Sequence, residues 1–138
     1  MIDPREEVAD LAYRTGWAVT KRMPESAAKF LIDDVGGRIG ARGDNTQLRK
    51  NLARVLGTTP DAVPQSLIEE SSRSYARYWR ESFRLPSMDL EELGRTLDRY
   101  VDAPSVHEAV AAGKGAVLAL PHSGNWDMAG VWLAQHYG

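Results

Sequence analysis

The sequence contains no cysteine, which excludes a disulfide framework and thiolate metal sites. It also lacks a long apolar run, since the longest uninterrupted one, residues 116–121, is far shorter than the roughly 20 residues that a membrane-spanning helix needs. The N-terminal segment is acidic and has no apolar core of the kind that secretory signal peptides carry. We therefore expect any contact with a membrane to be peripheral.

An excess of charge of one sign is also missing, because 17 Lys and Arg residues face 19 Asp and Glu residues and leave a formal net charge of −2. A balanced charge gives no global electrostatic field to attract nucleic acid, so we expect no nucleic-acid partner. The contents of 43% hydrophobic and 26% charged residues are typical of a soluble globular protein, and 138 residues suit one domain.

Apolar residues recur at spacings of three and four along most of residues 1–100, which predicts that this region is mainly helical. The predicted inner stripe of the first helix is Val8, Leu11, Ala12, Thr15 and Val19. The Gly36-Gly37 pair is predicted to end the second helix. The predicted helices run from residue 4 to about 23, from 25 to 35, from the capping box of Asp44 and Gln47 to Gly57, from about 64 to 83, from the cap Ser87 through Leu97, and from the capping box of Ser105 and Glu108 to Gly113.

The helix over residues 64–83 carries its aromatic residues and its arginines on different faces. One stripe contains Leu67, Ile68, Ser71, Tyr75, Tyr78, Trp79 and Phe83, and the residues mostly off it are Arg73, Arg77, Arg80 and Arg84. Two interpretations are open. The first, favoured by helical amphipathicity, is an aromatic core face beside a solvated basic face. The second is a basic, aromatic surface that meets an anionic membrane.

The hydrophobic period changes near residue 115. The run "GAVLAL", residues 115–120, is bracketed by glycine and proline and predicts a strand buried on both faces. The turn "HSGN" follows, and residues 126–135 resume helical spacing. The expected fold class is therefore α/β, in which N-terminal helices precede the first strand-turn-helix unit of a sheet, and residues 101–138 begin the α/β core.

A strand of this kind needs neighbours, and "RYVDAP" is the one other, weak candidate. We therefore expect a truncated sheet. Its missing strands would come from a further C-terminal part of the same protein or from another copy of the chain, because an unpaired edge leaves backbone groups unsatisfied.

His122 follows the predicted strand, at the end where α/β proteins bind their ligands. A histidine in this position can act as a general base if a carboxylate orients the ring and stabilises the imidazolium, and Asp127 lies in the first turn of the following helix. Backbone N–H groups near Ser123 and Asn125 would favour an anionic group or a developing oxyanion. The sequence therefore predicts His122 and Asp127 as catalytic residues, with Ser123 and Asn125 at the substrate.

A structural interpretation of the same residues stays open. Asn125 can be the cap of the helix, and Asp127 can favour the helix dipole without any role in catalysis. No Gly-x-Ser-x-Gly motif supplies a serine nucleophile, so a catalytic His122 would activate a substrate hydroxyl directly. His107 and His136 lack metal-ligand spacing to His122, and we expect no metal site.

The stretch "LPHSGNWDMAG" resembles the H-x-x-x-x-D motif of glycerolipid acyltransferases, in particular the lipid A lauroyl acyltransferase branch with H-x-G-N-W-(D/E). The flanked motif "GAVLALPHSGNWDMAGVWL" and the segments "SYARYWRESFRLP" and "LRKNLARVLG" extend this likeness. Across most of its length the chain is similar to the phosphatidylinositol mannoside acyltransferases of mycobacteria and other actinobacteria.

The resemblance implies transfer of a fatty acyl group, typically palmitoyl, from acyl-CoA to a mannose hydroxyl of phosphatidylinositol mannosides at the cytoplasmic face of the inner membrane. It implies that His122 removes the proton of that hydroxyl and that Asp127 belongs to the motif that positions His122. Acyl-CoA would be a co-substrate, and no cofactor is expected. The family also uses a glutamate downstream of the motif that this chain does not reach, so we expect the chain alone to be inactive.

Two other classes of function compete with this expectation. One is a non-catalytic lipid- or membrane-binding helical module that keeps the motif as structure. The other is a phosphate-ester hydrolase that uses His122, against which the lack of metal ligands and of a nucleophile motif argues.

Overall fold

The chain divides into two units, Met1–Arg84 and Leu85–Gly138. The regular structure described in the first unit is helical. The computed structural model describes residues 4–99, 104–119, 121 and 123–137. The α-helices of the first unit are α1 (Pro4–Arg22), α2 (Glu25–Ala28), α3 (Gly37–Ala41), α4 (Thr46–Leu56) and α5 (Gln65–Arg84). A π-helical segment, Lys29–Gly36, joins α2 to α3, and a 3₁₀ turn covers Pro60–Ala62.

The helix α4 begins and ends close to the predicted residues. Gly57 adopts φ +65° at its end, and the predicted stop there is confirmed. At its start the predicted capping box does not form, because Asp44 Oδ1 accepts from the Thr46 N–H at 3.0 Å while the Gln47 side chain donates to Asn51. The bonds from the side chain and backbone of Thr46 lower the pKa of Asp44.

The predicted end of the second helix at Gly36-Gly37 is wrong. Both glycines have right-handed helical backbone, and the helix continues through the π-helical segment into α3. A Cβ at Gly37 would lie 2.8 Å from Arg73 Cα in α5, which is closer than two carbons can approach. The glycine therefore allows α3 and α5 to cross closely, and its role here is packing rather than termination.

The apolar core of the first unit lies where α3, α4 and α5 meet. Its buried residues are Ala41, Ala53, Val63 and Ile68, against which Leu48, Leu52 and Leu67 pack. Leu48 and Leu52 of α4 thus face this core, whereas Val55 of the same helix is 83% exposed.

A buried ion cluster surrounds Arg80 of α5, whose side chain is 3% exposed. Its Nε donates to Asp33 Oδ1 at 2.9 Å, and its Nη1 donates to Glu25 Oε1 at 2.8 Å. Burial by itself lowers the pKa of Arg80, but the hydrogen bond and charge of Asp33, with the charges of Glu25 and Glu81, outweigh it and raise the pKa. The expected solvated position for Arg80 is therefore wrong, because carboxylates of α2 and the π-helical segment compensate its burial.

The other arginines of α5 also meet acceptors within the unit. Arg84 donates to the Thr20 carbonyl at 3.0 Å and to the Met23 carbonyl, and its Nε lies 3.0 Å from Glu25 Oε2. Weaker ion pairs join Arg73 to Asp34 and Arg77 to Glu81. Neither interpretation of these arginines holds for all four, since the side chains of Arg73 and Arg77 are about half exposed and the other two are largely buried.

Aromatic rings join α1 to α5. The ring of Phe83 lies 5.3 Å from that of Tyr13 and 5.8 Å from that of Trp17, between ring centroids, and Trp79 lies 5.5 Å from Phe83 on its own helix. These contacts turn the Tyr13 and Trp17 face of α1 towards α5, because aromatic rings bury more apolar area than Val or Leu. The predicted inner stripe of α1 is therefore wrong: its members Val8, Leu11, Ala12, Thr15 and Val19 are exposed.

The second unit contains a 3₁₀ turn at Leu85–Ser87 and the helices α6 (Leu90–Leu97), α7 (Pro104–Ala111) and α8 (Trp126–Tyr137). Asp89 caps α6, its Oδ1 accepting from the Glu92 N–H at 3.0 Å, so the predicted cap Ser87 is wrong. A carboxylate makes a stronger cap because it also interacts favourably with the helix dipole. Ser105, predicted as a cap, lies inside α7.

No β-strand forms in the part of the chain that the structure describes, where residues 114–119 have no regular structure. The predicted strand therefore does not form over residues 115–119. A strand exists only through hydrogen bonds to a neighbour, and no described segment supplies them; Val117 is 101% exposed. Leu120 and residues 100–103 of the weaker candidate lie outside the described residues.

The described helices include none that is long and apolar enough to cross a bilayer.

Replacing Arg80 by Met is expected to lower the free energy of unfolding by about 3 kcal/mol, because Asp33 would remain buried without its cation. Urea unfolding followed by circular dichroism measures this. The matched control is Arg77→Met, because the Arg77 side chain is 55% exposed and its pair with Glu81 is long at 4.0 Å, so its loss should change stability by less than about 0.5 kcal/mol. Equal urea midpoints for the two variants would contradict the role given to Arg80.

Candidate active site

A tight turn precedes α8 and contains the predicted site residues. The Ser123 N–H donates to the Pro121 carbonyl at 2.8 Å. Gly124 follows with φ +67°, a left-handed conformation that glycine adopts without the strain a Cβ would cause. Asn125 comes next and α8 begins at Trp126, so Ser123 and Asn125 lie close to the N-terminus of that helix.

Asn125 caps α8. Its side-chain Oδ1 accepts from the Met128 N–H at 3.2 Å, which satisfies one of the donors that a helix start leaves without an intrahelical acceptor. The interpretation of Asn125 as a helix cap is confirmed. Its contact with substrate, like that of Ser123, stays a prediction.

Asp127 lies in the first turn of α8, as predicted, and is partly buried. A carboxylate in this turn is stabilised by the positive end of the helix dipole. His122 lies outside the described residues. The pair of His122 and Asp127 therefore stays a prediction. Of its two members, the structure describes Asp127, in the first turn of α8.

The C-terminal half of α8 packs against α6. The buried Trp132 donates its indole N–H to Asp98 Oδ1 at 2.6 Å, and His136 Nε2 lies 3.2 Å from the same oxygen. The Gln135 side chain donates to the Leu90 carbonyl at 2.8 Å. Two sets of polar contacts thus hold the helix that carries Asp127 against α6.

His136 has acceptors at both of its ring nitrogens. Its Nδ1 lies 2.9 Å from the Trp132 carbonyl, and the Trp132 and His136 rings stack with centroids 4.4 Å apart. The His136 ring therefore contacts Trp132 of its own helix on one side and Asp98 of α6 on the other.

His107 lies near the C-terminal end of α8, where its Nδ1 is 2.7 Å from the Tyr137 hydroxyl. Within the described residues, no three His, Asp or Glu side chains lie close enough together to hold a metal ion. The histidines of α7 and α8 thus contact other side chains of the second unit.

Residues 4–138 match the family model described as bacterial lipid A biosynthesis acyltransferase. The chain belongs to this acyltransferase family. The "phosphatidylinositol mannoside acyltransferase" of Mycolicibacterium smegmatis is 56% identical, over 96% of this chain and 43% of that protein. Proteins of the same name from two strains of Mycobacterium tuberculosis, CDC 1551 / Oshkosh and H37Rv, are 54% and 53% identical over 99% of this chain and 45% of their own length.

The resemblance seen in "LPHSGNWDMAG" is confirmed by these matches, which extend over nearly the whole of the chain. The chain spans less than half the length of the curated relatives that it matches. The structure brings Ser123, Asn125 and Asp127 together at the N-terminus of α8.

Sequence reasoning missed the contacts of Asp98 with Trp132 and His136. The available signal was the spacing of four between Trp132 and His136, which places two polar aromatic rings on one face of α8. It did not identify the acceptor, because Asp98 lies 34 residues before Trp132.

Replacing Asn125 by Ala is expected to destabilise the first turn of α8 by about 1 kcal/mol, because the Met128 N–H loses its acceptor. Hydrogen exchange read by mass spectrometry should show faster exchange in peptides that contain Met128. Asn125→Asp is the matched control, since an aspartate caps equally well and should keep Met128 protected. Unchanged exchange in the alanine variant would show that the cap contributes nothing.

Proposed function

We propose that the protein transfers a palmitoyl-type acyl group from acyl-CoA to a mannose hydroxyl of phosphatidylinositol mannoside, with His122 as the general base. The observation that carries the proposal is the family's H-x-x-x-x-D motif at His122 and Asp127, in a chain 53–56% identical to proteins named phosphatidylinositol mannoside acyltransferase. The position of Asp127 in the first turn of a capped helix supports it, since a capped helix start fixes the direction of that side chain.

In the proposed reaction, His122 takes the proton of the mannose hydroxyl while the hydroxyl oxygen attacks the thioester carbonyl carbon. A base is needed because an alcohol is a weak nucleophile until its proton is removed. The new C–O bond forms, the C–S bond breaks, and the imidazolium returns its proton to the departing CoA thiolate. Asp127 belongs to the group that orients His122 and stabilises its charged form.

The N-terminus of α8 would stabilise the tetrahedral intermediate. Negative charge develops on the former carbonyl oxygen, and the positive end of a helix dipole favours such charge. Ser123 and Asn125 lie at this end and are the proposed substrate contacts. Acyl-CoA acts as a co-substrate, and the reaction as written balances without any cofactor.

The proposal places this chain in an active site that a further C-terminal region completes. The curated relatives extend well beyond the part that this chain matches, because it covers 43–45% of their length. That region would contribute a glutamate and the strands that pair with residues 115–120. The chain alone would then lack acyl transfer, and adding the complementary C-terminal region should restore it.

Replacing His122 by Ala in the full-length protein should abolish acyl transfer to phosphatidylinositol mannoside without unfolding the protein. The expected fall in kcat is at least about 100-fold, the usual contribution of a general base. Radiolabelled palmitoyl-CoA measures transfer, and circular dichroism measures folding. His107→Gln is the matched control, because an amide oxygen can still accept from Tyr137 and the residue lies outside the motif. Turnover retained by His122→Ala would reject the base assignment.

A membrane contact is part of the proposal, with the protein located peripherally at the cytoplasmic face of the inner membrane. Its support is the exposed apolar face of α1, on which Val8, Leu11 and Val19 are 68%, 66% and 51% exposed. The surface first considered for this contact, on α5, is less suitable, because Arg80 and Arg84 are held in internal ion pairs. The same face would serve a non-catalytic lipid-binding module, the competing function.

Replacing Leu11 by Asp is expected to weaken binding to vesicles of phosphatidylcholine and phosphatidylinositol about tenfold or more, since burial of a leucine contributes about 1.5–3 kcal/mol. Sedimentation of the full-length protein with vesicles measures this. Val55→Asp is the matched control, because Val55 is exposed on α4 and away from the α1 face. Equal binding by both variants would reject the α1 contact.

The two functions separate in one comparison. The proposed enzymatic function is supported if the parent protein transfers acyl groups and its His122→Ala variant binds vesicles but transfers none. Vesicle binding by a parent protein that transfers none would favour the non-catalytic module.

A further inference from the structure

We infer that Asp98 is a positioning residue for the proposed acyl transfer, holding α8 against α6 so that the motif at the start of α8 keeps its reactive placement. The inference rests on the proposed function, because it concerns the helix that carries Asp127 and begins four residues after His122. It assigns no contact with substrate to Asp98.

The first support is the burial of the indole that Asp98 binds. Trp132 is 4% exposed, and its N–H donates to Asp98 Oδ1 at 2.6 Å. A buried indole N–H needs an acceptor, because leaving it unpaired forfeits the hydrogen bond that it makes with water. Asp98 provides that acceptor.

The second support is the unfavourable place that Asp98 occupies on its own helix. It is the C-cap of α6, where the helix dipole is negative and repels a carboxylate. The electrostatics of α6 therefore do not account for an aspartate here. The contacts with α8 do, because the indole N–H and the His136 ring compensate the carboxylate.

The third support is the reach of these contacts along α8. Asp127 and Trp132 are five residues apart, or about 7–8 Å along a helix with a rise of 1.5 Å per residue. A second described polar contact of α8 on α6, from Gln135 to the Leu90 carbonyl, lies farther from Asp127. Loss of Asp98 would remove the nearer of these two contacts, the one that restricts the position of Asp127 more closely.

The pairing of Asp98 with His136 is not a second catalytic dyad. The ring nitrogens of His136 lie against the Trp132 carbonyl and Asp98, so neither is directed at a substrate proton. The pair is instead part of the contact between α6 and α8. Asp98 therefore acts through the position of α8.

The test compares Asp98→Ala with Asp98→Asn in the full-length protein, with radiolabelled palmitoyl-CoA as the donor. We expect Asp98→Ala to lower kcat about 10- to 100-fold, the range caused by a misplacement of about 1 Å, while KM for palmitoyl-CoA changes less than about threefold. Asp98→Asn should recover most of kcat, because its amide oxygen still accepts from Trp132. A kcat for Asp98→Ala within about twofold of the parent overturns the inference.

Asp89→Ala is the matched control for stability. It removes the cap bond to the Glu92 N–H at the other end of α6 and touches no residue of the Asp98 contacts. A merely structural role would make both variants lower Tm and leave kcat per folded molecule unchanged in both. The inference requires that kcat fall in Asp98→Ala alone.

A double variant tests whether Asp98 acts through Trp132, and it applies even if Asp98→Ala folds poorly. Trp132→Phe keeps a ring in the pocket and removes the N–H donor. We expect its loss of kcat to resemble that of Asp98→Ala, and the double variant to be no worse than the poorer single variant. Fully multiplicative losses would overturn the inference.

The outcomes distinguish this inference from the proposed function. If the parent transfers acyl groups and His122→Ala does not, while Asp98→Ala keeps the parent's kcat, only the inference fails. If the parent transfers none, or His122→Ala keeps its activity, the proposed function fails and the role of Asp98 falls with it.

Discussion

The helices of the first unit depend most on the contacts that the buried guanidinium of Arg80 makes. A charge removed from water is costly unless it meets opposite charges, and Arg80 meets Asp33 of the π-helical segment and Glu25 of α2. Glu25 also pairs with Arg84, whose bonds to the Thr20 and Met23 carbonyls fix the end of α1. A chain of polar contacts thus leads from α1 to α5, and the aromatic contacts of α1 add to it.

Local signals predicted where most helices lie, because caps, proline and apolar spacing act within a few residues. The stop at Gly57 and the helices α1, α5 and α8 follow from them. Long-range contacts decided the rest. In the sequence Gly37 resembles a helix stop, but in the structure it allows the close crossing of α5. The burial of Arg80 depends on Asp33, which is 47 residues away in the sequence. Periodicity cannot supply such partners.

The same division holds at the candidate site. The cap made by Asn125 and the place of Asp127 could be predicted, since both depend on the turn before α8 and on its first turn. The strand predicted before that turn does not form over residues 115–119, because a strand requires a partner, and none exists among the described residues. The contact of Asp98 with α8 joins two helices distant in sequence, so the spacing of Trp132 and His136 could not identify Asp98 as their partner.

Two aspartates at opposite helix ends show how position decides what a carboxylate does. Asp127 lies at the N-terminus of α8, where the helix dipole stabilises a carboxylate. Asp98, at the C-terminus of α6, is destabilised by its own helix and gains its compensation from Trp132 and His136 of α8. The electrostatic cost on α6 is therefore tied to the placement of α8. A substitution that merely improved α6 by removing Asp98 would take away the acceptor of the buried Trp132 indole N–H on α8.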